Sequence, residues 1–116
     1  MHEMGIAMQI VDIAVSSIPP GVRNPSVARV NLRIGKLTAI VPSSLRFCFE
    51  IAAQDTPLAG AELSIEEPPI TLRCKSCGHQ WTVTSPNFIC EKCQGGQVDI
   101  LTGREFDIVS LELADS

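Results

Sequence analysis

Four cysteines set the narrowest limits on how this chain can fold. They stand in "CKSCGHQWTVTSPNFICEKC" as Cys74-x2-Cys77, twelve intervening residues, then Cys90-x2-Cys93. Each pair can present two sulfurs from one tight turn, and two such knuckles supply four thiolates to one tetrahedral zinc at about 2.3 Å. Gly78 after the first knuckle and Gly95-Gly96 after the second are expected to provide the positive-φ turns that bring backbone amides toward sulfur. The segment around them is roughly 30 residues with one tryptophan, too little apolar bulk to hold itself together by burial. Metal binding can, being worth about 10–16 kcal/mol in small zinc peptides. Four thiolates also close the coordination sphere, leaving no position for an activated water, so the expected zinc is structural.

The rest of the chain is patterned like a small globular domain. Residues 3 to about 18 form an expected helix whose stripe is Ile6, Ile10, Ile13 and Ala14, widened by Met8, Val11, Val15 and Ile18. The "SSIPPG" segment ends it, because a proline pair cannot continue a helix. Val30, Leu32 and Ile34 alternate with Arg29, Asn31 and Arg33, a strand signal in the run from Val27 to about Ile40 that Gly35-Lys36 should bend or end. A second helix starts near Pro42, with Ser43 and Ser44 as capping types and Leu45, Cys48, Phe49 and Ala52 on one face. "AELSIEE" and "REFDIVSLEL" alternate as further strands, and "HQWTVT" is a short strand-like piece inside the cysteine segment.

These elements predict an α+β fold, with two helices on a small three-stranded sheet and an inserted zinc-ribbon module. Residues 1–69 and 101–116 would make the α/β domain and 70–100 the zinc-binding module, inserted between neighbouring strands of one sheet. Cys48 is expected as a buried core thiol, Trp81 as packing against the zinc hairpin, and His79 as a neighbour of the zinc and not a ligand to it.

Composition narrows the function. Nine basic and thirteen acidic residues give a net charge of −4, which argues against nucleic acid, where phosphate neutralisation supplies most of the affinity. No apolar run reaches the ~18 residues needed to cross a bilayer, so no membrane partner and a cytoplasmic setting are expected. A reducing compartment also makes the five cysteines metal ligands or thiols, not disulfides.

The chain opens "MHEMG". A free Met1 amine, the His2 amide nitrogen and the His2 imidazole Nδ1 can close fused five- and six-membered rings on one metal. Amine and imidazole both titrate near neutrality, so a divalent ion can displace their protons. Diverting a helix-terminal amide breaks no ladder, since the first four N–H groups of a helix have no intrahelical acceptor. A nitrogen-rich set of this kind suits square-planar Ni(II) or Cu(II). Glu3 has a plainer role too, complementing the helix dipole.

Taken in order, "MHE", "LRIGKLTAIVPSSLRFCFE", "GAELSIEEPP", the two knuckles and "GREFDIVSLE" resemble the hydrogenase-maturation nickel metallochaperone family (HypA/HybF) over essentially the whole chain. The resemblance implies a binding protein, not an enzyme. It implies Ni(II) as transferred cargo at the N-terminus, with His2 essential and Met1 and Glu3 completing the site. It implies structural Zn(II) on Cys74, Cys77, Cys90 and Cys93. Apart from the resemblance, His79 is an auxiliary candidate donor to an N-terminal metal if the cysteine segment packs nearby. The implied partners are a maturation GTPase and the [NiFe]-hydrogenase large subunit, with urease as a further recipient. A weak homodimer stays open, with no segment assigned to it. One departure from the family pattern is "CEKCQGG", where proline usually follows the first cysteine and glycine directly follows the second.

The alternative function is a zinc-ribbon adaptor binding nucleic acid or a transcription or translation complex. Only Arg73, Lys75 and Lys92 near the knuckles would serve it. A thiol redox or hydrolytic enzyme is the weakest reading: the sequence offers no paired base and nucleophile and no phosphate-binding loop.

Overall fold

A computed structural model describes residues 2–85 and 88–114. The first helix, α1, runs Glu3–Ser17 and buries Ala7, Ile10, Val11 and Ala14. That is the i, i+3, i+4, i+7 stripe of a helix, but rotated from the expected one. Ile13, assigned to the buried face, is 53% exposed, and Ala7 takes its place. The apolar residues of α1 cover more than half its circumference, so composition alone does not choose the inward arc. The small Ala7 and Ala14 are fully buried, and α1 packs directly on the second helix.

The strand β1, Val27–Ile34, buries Val30, Leu32 and Ile34 as its alternation requires. It stops there and does not continue toward Ile40; a 3-10 turn, Lys36–Thr38, follows Gly35. The helix α2, Pro42–Ala52, places Pro42 in its first turn after an N-cap Val41. Ser43 and Ser44 lie inside that turn and do not cap it, since Pro42 already supplies the preset φ and lacks an N–H to satisfy. Leu45 and Phe49 are its buried residues, while Cys48 is half-buried.

β2, Glu62–Glu66, pairs in parallel with β1, setting Val30 beside Leu63 and Leu32 beside Ile65, with α2 as the crossover. The chain then runs through β3 (Ile70–Cys74), β4 (Gln80–Val83) and β5 (Val98–Thr102) to β6, Phe106–Leu113. The first sheet has the order β2-β1-β6. Ala114 N–H meets Ser26 O, and Asn31 Nδ2 reaches Ser110 Oγ at 3.0 Å further along, so β6 runs antiparallel to β1. The cysteine segment is therefore not inserted between neighbouring strands. It leaves from β2 and returns to β6, the two edges of the sheet, because β1 has taken a partner on each side. The solvent face of this sheet is a polar ladder in which Arg29 pairs with Glu62 at 3.5 Å and Glu112 at 3.2 Å.

The second sheet, β4-β3-β5, is antiparallel throughout. β3 and β5 were not expected as strands. Ile70, Leu72 and Cys74 alternate toward its interior and are buried with Trp81 and Cys90, against Leu37, Val83, Phe88, Val98 and Ile100.

The chain divides into two compact units. The helix unit holds the described residues up to Arg33, Ile40–Glu66, and those from Asp107 on; the cysteine unit holds Ile34–Ala39 and Glu67–Phe106. The cysteine unit is thus larger than residues 70–100. The Gly35 N–H donates to Glu105 O at 2.7 Å and the Leu37 N–H to Gly103 O at 2.8 Å, which ties the 3-10 turn into it. Gly103 has φ +133, and a Cβ on Gly35 would overlap the Gly103 carbonyl, so glycine is required at both positions. Among the described residues no helix is long and apolar enough to cross a membrane.

Candidate metal sites

The cysteine unit brings all four predicted thiols together. Cys74 ends β3, and its Sγ lies 3.5 Å from that of Cys93; Cys77 and Cys90 are 3.7 Å apart. All four sulfurs lie within 4.8 Å of one another. A tetrahedron with metal–sulfur bonds of 2.3 Å has edges of about 3.8 Å, so the set fits zinc. Cys74 and Cys90 are buried, Cys77 and Cys93 exposed.

The two knuckles share one backbone pattern. The Gly78 N–H donates to Cys74 O at 2.9 Å and the Gln94 N–H to Cys90 O at 2.8 Å. The Cys74 N–H donates to His79 O at 2.8 Å and the Cys90 N–H to Gly95 O at 2.9 Å. Each turn needs a left-handed residue directly after its second cysteine. Gly78 fills the first at φ +76, and Gln94 fills the second at φ 63. The expectation that Gly95-Gly96 supply that turn is corrected: the loop closes one residue earlier, on a side chain that disfavours the conformation.

The electrostatics of the cluster ask for a cation. Backbone N–H donation, from Cys77 above all, pulls the Cys74 thiol down to about 6 despite the opposing effect of burial. At Cys90 burial opposes ionisation, but N–H groups of Cys93 and Lys92 outweigh it and the net direction is down. At Cys93 the Gly95 N–H favours the thiolate, yet sharing with the Cys74 and Cys77 sulfurs prevails and pushes it up to about 12. Cys74 and Cys90 are thus drawn toward the thiolate that a metal ligand must be, while Cys93 is held back by its sulfur neighbours. A divalent ion held by Cys74, Cys77, Cys90 and Cys93 would reverse that resistance and cross-link the two knuckles.

His79 lies beside this cluster. Its ring stacks on Trp81, with centroids 5.7 Å apart and an interplanar angle of 8°, and its Nε2 is 3.0 Å from Glu91 Oε1. Using that nitrogen on a metal would give up the Glu91 contact. Glu91 was missed in the sequence; its place directly after Cys90, opposite His79 after the first knuckle, is the signal. Trp81 is buried in the cysteine unit's core, as expected. Of the three basic residues near the knuckles, Arg73 and Lys75 are both paired with Asp99, at 3.1 and 3.7 Å. That leaves little for phosphate.

At the other candidate site, His2 is the exposed N-cap of α1. Its side chain makes no capping hydrogen bond, and its carbonyl accepts from the Ile6 N–H at 3.2 Å. Glu3 is half-buried as the first helical residue. Met1, the third member of the expected set, lies outside the described residues.

With these arrangements in hand, comparison with known proteins is informative. The family model "Hydrogenase/urease nickel incorporation, metallochaperone, hypA" matches residues 1–113. The hydrogenase maturation factor HypA of Desulfosudis oleivorans is 69% identical over 115 residues, covering 99% of this chain and all of its own. A solution structure of a HypA protein superposes with a TM-score of 0.70 at 26% identity, over 98% of this chain and 97% of that one. The fold of "the Ni metallochaperone HypA from Helicobacter pylori" matches at a TM-score of 0.66 over both whole chains, at 24% identity. A family match over residues 1–113, a relative 69% identical and a shared fold agree: this chain belongs to the HypA family of hydrogenase-maturation nickel metallochaperones, maturation factors and not enzymes.

Proposed function

We propose that the chain carries Ni(II) on its N-terminus and passes it to the maturing [NiFe]-hydrogenase large subunit in the cytoplasm, together with a GTPase partner; urease is a second recipient. In a mature chain starting at Met1, the ligands are the Met1 amine, the His2 amide nitrogen and imidazole, and the Glu3 position. Zinc sits on Cys74, Cys77, Cys90 and Cys93 and keeps the cysteine unit folded. The observation that carries this reading is His2: it opens α1, is solvent-exposed, and has no capping duty to give up, in a chain that matches a nickel-incorporation family from its first residue.

The chemistry suits delivery. Ligands at the very start of a helix are not locked by a hydrogen-bond ladder, so release can begin by detaching one donor. Four thiolates on a closed zinc do not exchange in this way. Cargo and scaffold metals are therefore separated by ligand type: nitrogen at the terminus, sulfur in the cysteine unit. Titration of Ni(II) into untagged protein should show one site that is lost in His2→Ala, with one zinc per chain in both. Unchanged nickel affinity in His2→Ala would overturn the assignment.

A further inference from the structure

Of the four zinc thiols, Cys77 and Cys93 are the exposed pair, and each is the second cysteine of its knuckle. Exposure and motif treat them alike, but their surroundings differ. At Cys77 the left-handed position falls to Gly78, at φ +76, where no Cβ is crowded. His79 then stacks on the buried Trp81, and its Nε2 lies 3.0 Å from Oε1 of Glu91, the residue directly after Cys90. That contact ties the end of the first knuckle to the start of the second, where the Cys77 and Cys90 sulfurs are 3.7 Å apart.

At Cys93 the same left-handed position falls to Gln94, at φ 63, a conformation that its Cβ disfavours. Gly95-Gly96 follow, and they carry no side chain that could bind the turn down. Sulfur contacts aside, no side chain among the described residues bonds residues 92–96 to the first knuckle. A backbone tie comes after both glycines, where the Lys75 N–H donates to Gln97 O at 3.0 Å.

We infer that Cys93 is the thiolate at which the zinc cluster opens to a competing donor or a soft electrophile, and that Glu91, acting through His79, is the positioning residue that keeps Cys77 closed. The order rests on the zinc assignment above. Four thiolates hold zinc too closely for the one-donor release proposed for nickel, yet a strong chelator must still displace them in turn. In the first exchange the Cys93 thiolate leaves with its electron pair, an incoming donor supplies a pair in its place, and zinc stays four-coordinate. Its departure frees Gln94 from the left-handed turn. Departure of Cys77 gains nothing of the kind, because Gly78 is unstrained, and it pulls against the Glu91 contact and the Trp81 stack.

The test is brief alkylation of the zinc-loaded full chain with limiting iodoacetamide, which forms an S–C bond and releases iodide. Peptide mapping then keeps Cys48 apart from the knuckle thiols. Cys93 should react at least about threefold faster than Cys77. Glu91→Ala should bring Cys77 to within about twofold of Cys93, and should shift the fluorescence of the single tryptophan as His79 leaves its ring. Glu91→Gln, whose amide oxygen still accepts from Nε2, should restore the wild-type order. Gln94→Gly should slow Cys93 and leave Cys77 unchanged. With zinc at one per chain, Cys77 reacting as fast as Cys93, or a gap that neither Glu91→Ala nor Gln94→Gly alters, would overturn the order alone. A wild-type chain that holds no zinc would overturn the zinc assignment with it.

Discussion

The two units are held together by different physics. In the helix unit, Ile10, Leu32, Leu45, Phe49 and Leu58 are essentially inaccessible to solvent, and the sheet's outer face is a ladder of exposed ion pairs that contribute little. The cysteine unit buries Ile70, Leu72 and Trp81, and the remaining members of its central cluster are Cys74 and Cys90 themselves. Sulfur replaces hydrocarbon at the centre. One unit therefore owes its fold to apolar burial, while the other is built around four thiols that a zinc ion would cross-link and a chelator would release.

The largest test of that contrast is metal removal. Stripping zinc, or replacing Cys90 with Ser, should unfold the cysteine unit while the helical circular dichroism signal from α1 and α2 persists. Simultaneous loss of both signals would mean that the units do not differ in this way. The converse is Phe49→Ala, which opens a cavity in the helix unit and should cost about 3–5 kcal/mol in denaturant unfolding. Zinc content should stay at one per chain. A smaller effect sharpens the comparison inside the cysteine unit. Gln94 holds a left-handed conformation that Gly78 holds at the matching place in the first knuckle. Gln94→Gly should relieve part of a strain of about 1–2 kcal/mol, offset by the larger unfolded-state entropy of glycine. Zinc should then withstand a higher chelator concentration; weaker retention would show that the Gln94 side chain does something beyond tolerating the turn.

The same contrast explains what the sequence disclosed. β1 was legible because Val30, Leu32 and Ile34 alternate with polar partners, and the knuckles because cysteine spacing has few meanings. β3 was not, because its third inward residue is Cys74, which counts as a ligand in a motif and as core in a strand. In α1 the opposite problem arose: an arc of Ile, Val and Met wider than the buried face hid that the inward side is the one carrying Ala7 and Ala14. The order β2-β1-β6 could not be read from chain order, since it depends on β1 accepting partners on both sides. The turn at Gln94 was missed because glycine two residues in a row looked sufficient; the shared backbone pattern shows that position relative to the cysteine, not residue type, decides. His2 was visible as a candidate because its imidazole and amide nitrogen adjoin the Met1 amine; that it is exposed and free of a capping role could be read only from the structure.

The proposed division of labour between a nitrogen site at the terminus and a sulfur site in the cysteine unit can be probed with one covalent change. Acetylating the α-amine of the Met1 chain removes a single donor and leaves every side chain in place. The account predicts that nickel titration of the acetylated protein loses the site while zinc stays at one per chain. Nickel bound as tightly as before, with zinc intact, would contradict it.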